Sequence, residues 1–182
     1  MAALPTNARL KRQAKRIVKL LESRRDRLVL AESCSGGLIA ALLTEIPDVS
    51  NFFCGSQVVY RENSKQAWLG VKAAEIRRFT AVSGEVSERM VRGVLRKTPE
   101  ATIAGSITGY LGPSGKHVGL VYFSVFRRGE RTPTTLKLQI GAVRGRPESA
   151  RVRRREIAIG KFFELLITLL NSNRKTGICA GF

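Results

Sequence analysis

Lys65 stands five residues after Tyr60 and fifteen after Ser50, in a segment with little other polar chemistry at its centre. A lysine shielded from water loses its preference for the charged form and can take up a proton, and a serine in hydrogen-bond reach of it becomes a nucleophile. On an exposed helix face the same lysine would do neither, and spacing alone leaves both readings open. Two glycine-containing loops add candidate binding groups. Ser33-Cys34-Ser35-Gly36-Gly37 follows an apolar strand-like stretch and opens a helical one, where backbone N–H groups and the helix dipole can hold a phosphate or carboxylate. It matches neither the dinucleotide-binding fingerprint nor the P-loop, so a purely structural turn is the competing reading. Thr108-Gly109-Tyr110-Leu111-Gly112-Pro113-Ser114-Gly115 is a second such loop, and two of them after two strands suggest one shared crevice.

Other chemistries find little support. The three cysteines, Cys34, Cys54 and Cys179, are odd in number and lack CxxC spacing, and His117 is the only histidine. Neither a disulfide framework nor a His/Cys zinc site is expected, which leaves hydroxyls, carboxylates, Lys, Arg and Tyr.

The elements that must position these groups can be read from periodicity. Asn7 to about Ser23 has a helical apolar stripe of Leu10, Ala14, Ile17, Val18 and Leu21, with Thr6 or Asn7 as N-cap. Leu28–Ala31 reads as a strand, Leu38–Leu43 as a helix stopped by Pro47, Phe52–Tyr60 as β-prone, and Asn63–Leu69 as a short helix ending at Gly70. Ser83 caps a helix over Glu85–Arg96. Strands follow at Ala101–Ile107, Gly119–Phe126 and Thr134–Ile140, then a helix from about Glu148 to Leu170 and a frayed tail over 171–182. Helices interleaved with strands predict an α/β fold, a single three-layer α/β/α domain with a mixed sheet, spanning 1–182 with its core at about 7–170.

The chain has 182 residues, a size that suits one domain, and 43% hydrophobic residues, enough for a real core. Lys and Arg number 32 against 14 Asp and Glu, a net charge of +18. Residues 9–27 hold nine cations against Glu22 and Asp26, and residues 144–155 hold six arginines against Glu148. Both runs are candidate anion-binding surfaces or simply solvated helix faces. No stretch of about 18 apolar residues exists and the N-terminal segment is charged where a secretory signal would be apolar, so a cytoplasmic protein with no membrane association is expected.

In order along the chain, the segments Ala31–Ala40, Val49-Ser50 through Phe53, Val59-Tyr60, Lys65, Leu69–Val71, Ala81–Ser83, and Thr108-Gly109 with Gly112-Pro113 resemble the CinA C-terminal family, which includes nicotinamide-nucleotide amidases. The similarity covers roughly residues 10–170. It implies hydrolysis of the carboxamide of nicotinamide mononucleotide to nicotinate mononucleotide and ammonia, without metal or organic cofactor. Carried over by position, Ser50 is the nucleophile, Lys65 its general base, and Tyr60 a relay or oxyanion partner. Ser33, Ser35, Gly36, Gly37, Thr108 and Gly109 would contact substrate. An arginine early in the last helix would hold the phosphate, with Arg151 first, Arg155 one turn later, and Arg144 and Arg146 as competitors.

Three features depart from the family pattern. Ser56 stands where a second glycine is usual, Arg61-Glu62-Asn63 replaces a Ser-Asn-Glu run, and the loop from Gly112-Pro113 to Val118 is short. A short loop would reshape the pocket. The resemblance also favours a homodimer. A catalytically silent homologue, and a non-enzymatic binder of nucleic acid or another polyanion, are the alternative functions; the latter draws on charge alone, since no helix-turn-helix, zinc finger or aromatic stacking platform is evident.

Overall fold

Alternating helical and β periodicities assemble into three layers in the computed structural model, which describes residues 5–172. The elements are α1 (Pro5–Arg24), β1 (Leu28–Glu32), α2 (Leu38–Thr44), β2 (Phe53–Val58), α3 (Glu62–Leu69), α4 (Ala73–Phe79), α5 (Gly84–Lys97), β3 (Ile103–Gly109), β4 (Leu120–Arg127), β5 (Thr134–Gln139) and α6 (Pro147–Ser172). One sheet runs in the order β2-β1-β3-β4-β5. β1 is parallel to both β2 and β3, whereas β4 and β5 add antiparallel, which makes the sheet mixed as expected.

Every residue of β1 is buried because helices cover both faces. Leu28 and Leu30 pack with Ile107, Phe123 and the apolar stripes of α1, α2 and α6 on one side. On the other, Val29, Ala31 and Ala104 pack against Leu69, Ile76, Val86, Met90 and Val94 from α3, α4 and α5. At Gly93 of α5 an added Cβ would come 2.2 Å from the Leu69 carbonyl oxygen, so only glycine lets α5 approach the end of α3 this closely.

Most expected elements are present, with ends shifted by one or two residues. Ser83 caps α5 as read, its hydroxyl accepting from Val86 N–H at 3.2 Å. Helix α1 starts at Pro5, ahead of Thr6 and Asn7, so neither is its N-cap; a proline at the first helical position has no N–H to satisfy. Two elements escape the periodicity reading: α4, only seven residues long, and a 3-10 turn at Val49–Asn51. Residues 173–182, which include Cys179 and most of the expected tail, lie outside the described residues.

Candidate active site

Strands β2 and β3 flank β1 on opposite sides, and the chain leaves β1 through a helix on one face and reaches β3 through helices on the other. Chains diverge at such a point, and a crevice opens beyond the carboxyl ends of the strands. A cleft of about 500 Å³ lies there, lined by Ser33, Cys34, Tyr60–Asn63, Lys65, Ala81, Val82, Thr108–Gly112, Ser114 and Arg151.

Ser33 is the first residue past β1, and its N–H donates to Ile107 O of β3 at 3.1 Å. Glu32 just before it is wholly buried. Its carboxylate accepts from the Ile39 and Ala40 N–H groups at 3.2 and 3.0 Å, closing the first turn of α2, and from Ser56 Oγ at 3.0 Å. Ser56 therefore supplies a hydroxyl to a buried carboxylate. Between Ser33 and α2 the backbone turns through Gly36 and Gly37, whose φ values of 65° and 89° disfavour a side chain.

Lys65 reaches this serine from α3. The lysine is 2% exposed, and its Nζ donates to Ser33 Oγ at 3.0 Å and to Val59 O at 2.8 Å. No carboxylate lies within salt-bridge distance among the described residues. Burial lowers its pKa from 10.5 to about 8. Cys34, next to Ser33 in sequence, goes the other way: burial pushes its thiol up to about 12. At neutral pH it is a thiol rather than a nucleophilic thiolate.

Above this pair, Tyr60 is 58% exposed and its hydroxyl accepts from Arg151 Nη2 at 2.8 Å. That leaves the phenolic proton free to donate elsewhere. Thr108, buried, anchors the opposite wall by donating to Ala81 O at 3.0 Å. Among the described residues no cluster of three His, Cys, Asp or Glu side chains could hold a metal ion.

The structure thus gathers Ser33, Tyr60, Lys65, Thr108, Gly109 and Arg151 in one cleft, and leaves other expected site residues outside it. Ser50 is the main correction. It is exposed in the 3-10 turn ahead of β2, where Phe52 O accepts from Leu28 N–H at the start of β1. Lys65 sits beyond the far end of the same five-residue strand, roughly 16 Å along it at 3.3 Å per residue. Ser50 therefore cannot be the serine that Lys65 activates; Ser33 occupies that position.

Ser35, Gly36 and Gly37 shape the turn without lining the cleft, and Arg155 does not line it either. Its neighbour Arg154, 8% exposed, instead donates to Gly112 O at 3.3 Å and steadies the loop forming the cleft wall. Arg144 and Arg146 are exposed and also absent from the lining. Sequence reasoning missed Arg61, Glu62 and Asn63 as cleft residues, although they immediately follow Tyr60.

A family model described as the CinA C-terminal domain matches residues 10–157. Curated relatives called CinA-like protein include one from Nostoc punctiforme, 41% identical over 70% of this chain and 31% of its own length. Another, from Thermotoga neapolitana, is 38% identical over 64% of this chain and 29% of its own. The chain spans less than a third of the length of these relatives. Among solved structures, the competence/damage inducible protein CihA from Agrobacterium tumefaciens is 30% identical, with a TM-score of 0.81 over 94% of this chain and 99% of that one. A CinA superfamily protein from Escherichia coli is 25% identical with a TM-score of 0.75, covering 91% and 94%.

Proposed function

This chain belongs to the CinA C-terminal domain family, and we propose that it is an amidohydrolase acting on nicotinamide mononucleotide, with Ser33 as nucleophile and Lys65 as its base. The observation that carries this reading is the 3.0 Å contact between Lys65 Nζ and Ser33 Oγ on a cleft wall, with the lysine buried and its pKa lowered to about 8. An unactivated amide requires a nucleophile, a base that later returns the proton to departing ammonia, and a donor for the tetrahedral oxyanion.

The neutral fraction of Lys65 takes the Ser33 proton as Oγ attacks the carboxamide carbon. Tyr60, its oxygen already engaged by Arg151, donates its own proton toward the developing oxyanion. Collapse of the intermediate breaks the C–N bond, and ammonia leaves with the proton held by Lys65. Water then attacks the acyl ester with Lys65 again as base, which releases the carboxylic acid and restores Ser33. Arg151, a cation of the cleft lining, would receive the substrate phosphate.

Ammonia release from nicotinamide mononucleotide by the purified protein tests the reading. Turnover that Ser33→Ala removes is expected. Absence of turnover in the folded protein would replace this reading with that of a catalytically silent homologue.

A further inference from the structure

A dense cluster of positive charge lies away from the cleft, on α1. Leu10, Ala14, Ile17, Val18 and Leu21 of α1 are buried, so the opposite face of the helix is presented to solvent. That face carries Arg12, Lys15, Arg16 and Lys19, all exposed, at helical spacings of three and four residues. Neighbouring cations are neutralised: Arg9 pairs with Glu164, and Lys11 pairs with Glu45 at 2.7 Å. Among the described residues no carboxylate lies within 4.0 Å of Arg12, Lys15, Arg16 or Lys19.

Two turns of helix thus hold four unneutralised cations within about 10 Å, since seven residues rise 1.5 Å each. Beside them a groove of about 440 Å³ runs between α1 and α6, with Arg9, Arg12 and Arg16 on one wall and Glu164, Thr168 and Asn171 on the other; Glu164 is neutralised by Arg9 and Lys161. The Arg12 and Arg16 guanidinium groups of this groove, without a carboxylate partner, suit phosphate oxygens.

From this arrangement we infer that the exposed face of α1 is a docking surface for the phosphate backbone of a nucleic acid duplex, without base specificity. The inference stands independently of the amidase reading, because none of its residues lines the cleft. A duplex fits better than a lipid surface. An interfacial helix anchors by burying an apolar face in the bilayer, and here that face is already committed to the protein core. A duplex instead offers regularly spaced phosphates, and each neutralised phosphate releases counterions.

The experiment compares binding of a fluorescein-labelled 30-base-pair duplex of arbitrary sequence across salt concentrations. One variant carries Arg12→Gln, Lys15→Gln, Arg16→Gln and Lys19→Gln; a charge-matched control carries Arg77→Gln, Arg78→Gln, Lys97→Gln and Arg131→Gln, exposed cations on other surfaces. The α1 variant should bind at least about tenfold more weakly at 50 mM salt, with a salt slope shallower by up to about 3.6, because each of four phosphate contacts contributes about 0.9 to that slope. The control should keep most of the affinity and the slope. A third variant, Arg12→Lys with Arg16→Lys, should bind like the parent, and ammonia release should be unchanged in all three.

Equal losses in the α1 and control variants would overturn the inference in favour of diffuse net charge. So would retention on vesicles of equal phosphatidylglycerol and phosphatidylcholine, lost in the α1 variant, without duplex binding by the parent. Unchanged helicity by circular dichroism shows that any loss is not unfolding.

Discussion

The two ends of β1 each bury a charge, and they treat it in opposite ways. Just before the strand, Asp26 is 4% exposed and fully engaged. Arg127 donates to its two oxygens at 2.6 and 2.8 Å, Arg24 Nε at 3.0 Å and Thr102 Oγ1 at 2.8 Å. Burial alone would raise this carboxyl, and the hydrogen bonds from Arg127, Thr102 and Arg24 outweigh it, holding the pKa below the ordinary 3.8. Just past the strand, Lys65 has a carbonyl and a hydroxyl but no counter-charge, so burial lowers its pKa to about 8. A buried charge with its hydrogen bonds met is structural; one left partly unmet is available to exchange protons.

Substitution should separate the two ends. Lys65→Met keeps an unbranched side chain and removes the titrating group, so turnover of nicotinamide mononucleotide should fall by 10²-fold or more, roughly the worth of a general base. Its thermal midpoint should not fall with it. Holding a lysine with a pKa about 2.5 units below its ordinary value costs roughly 3 kcal/mol at neutral pH, and the substitution relieves that cost. Asp26→Ala should do the reverse: a denaturant-measured stability loss of about 3 kcal/mol, as Arg127 loses its partner, with kcat retained. Loss of activity without loss of stability in Asp26→Ala would break the contrast.

The pH responses share a sign but fall in different windows, because both groups have folded pKa values below their unfolded ones. Below the Lys65 pKa, kcat/KM should rise about tenfold per pH unit and level off above about 8, as the neutral amine becomes the dominant form. Stability follows the same group. The unfolded chain binds the lysine proton up to pH 10.5 and the folded chain releases it from about 8, so the Lys65 contribution to stability improves across that window. Asp26 works at the acid end: its contribution is present above the unfolded value of 3.8 and is lost as pH falls through the lower folded value. Urea midpoints across pH, in parent and Lys65→Met, measure both.

A smaller effect sharpens the comparison from the packing side. Gly93→Ala sets a methyl against the Leu69 carbonyl, four residues beyond Lys65, and should cost about 1–3 kcal/mol. By tilting α3 it should also lower kcat. An unaffected kcat beside a lowered thermal midpoint would show that the position of α3 is not critical to Lys65.

Much of this was legible in the sequence, for reasons that particular residues make plain. The turn from Glu32 to Gly37, the lysine on a short helix ending at Gly70, and the Thr108-Gly109 loop each carry a local signature of the element they sit on. Which serine meets the lysine is different information. Ser50 and Ser33 are both near strands, and only the parallel pairing of β1 with β2 decides which end of the sheet each occupies. The same holds for Arg154 and Arg155: one residue is 100° of helix phase, and the apolar spacing of α6 did not resolve it. Asp26, within a run of cations, read as a minor counter-charge because its partners Thr102 and Arg127 are 76 and 101 residues away.

The most direct test measures ammonia release from nicotinamide mononucleotide by the parent protein, Ser33→Ala and Ser50→Ala at pH 8. Turnover in the parent that Ser33→Ala abolishes and Ser50→Ala leaves intact is the predicted result. Turnover that survives Ser33→Ala, or is lost in Ser50→Ala, would contradict the assignment of Ser33 and Lys65 as the reacting pair.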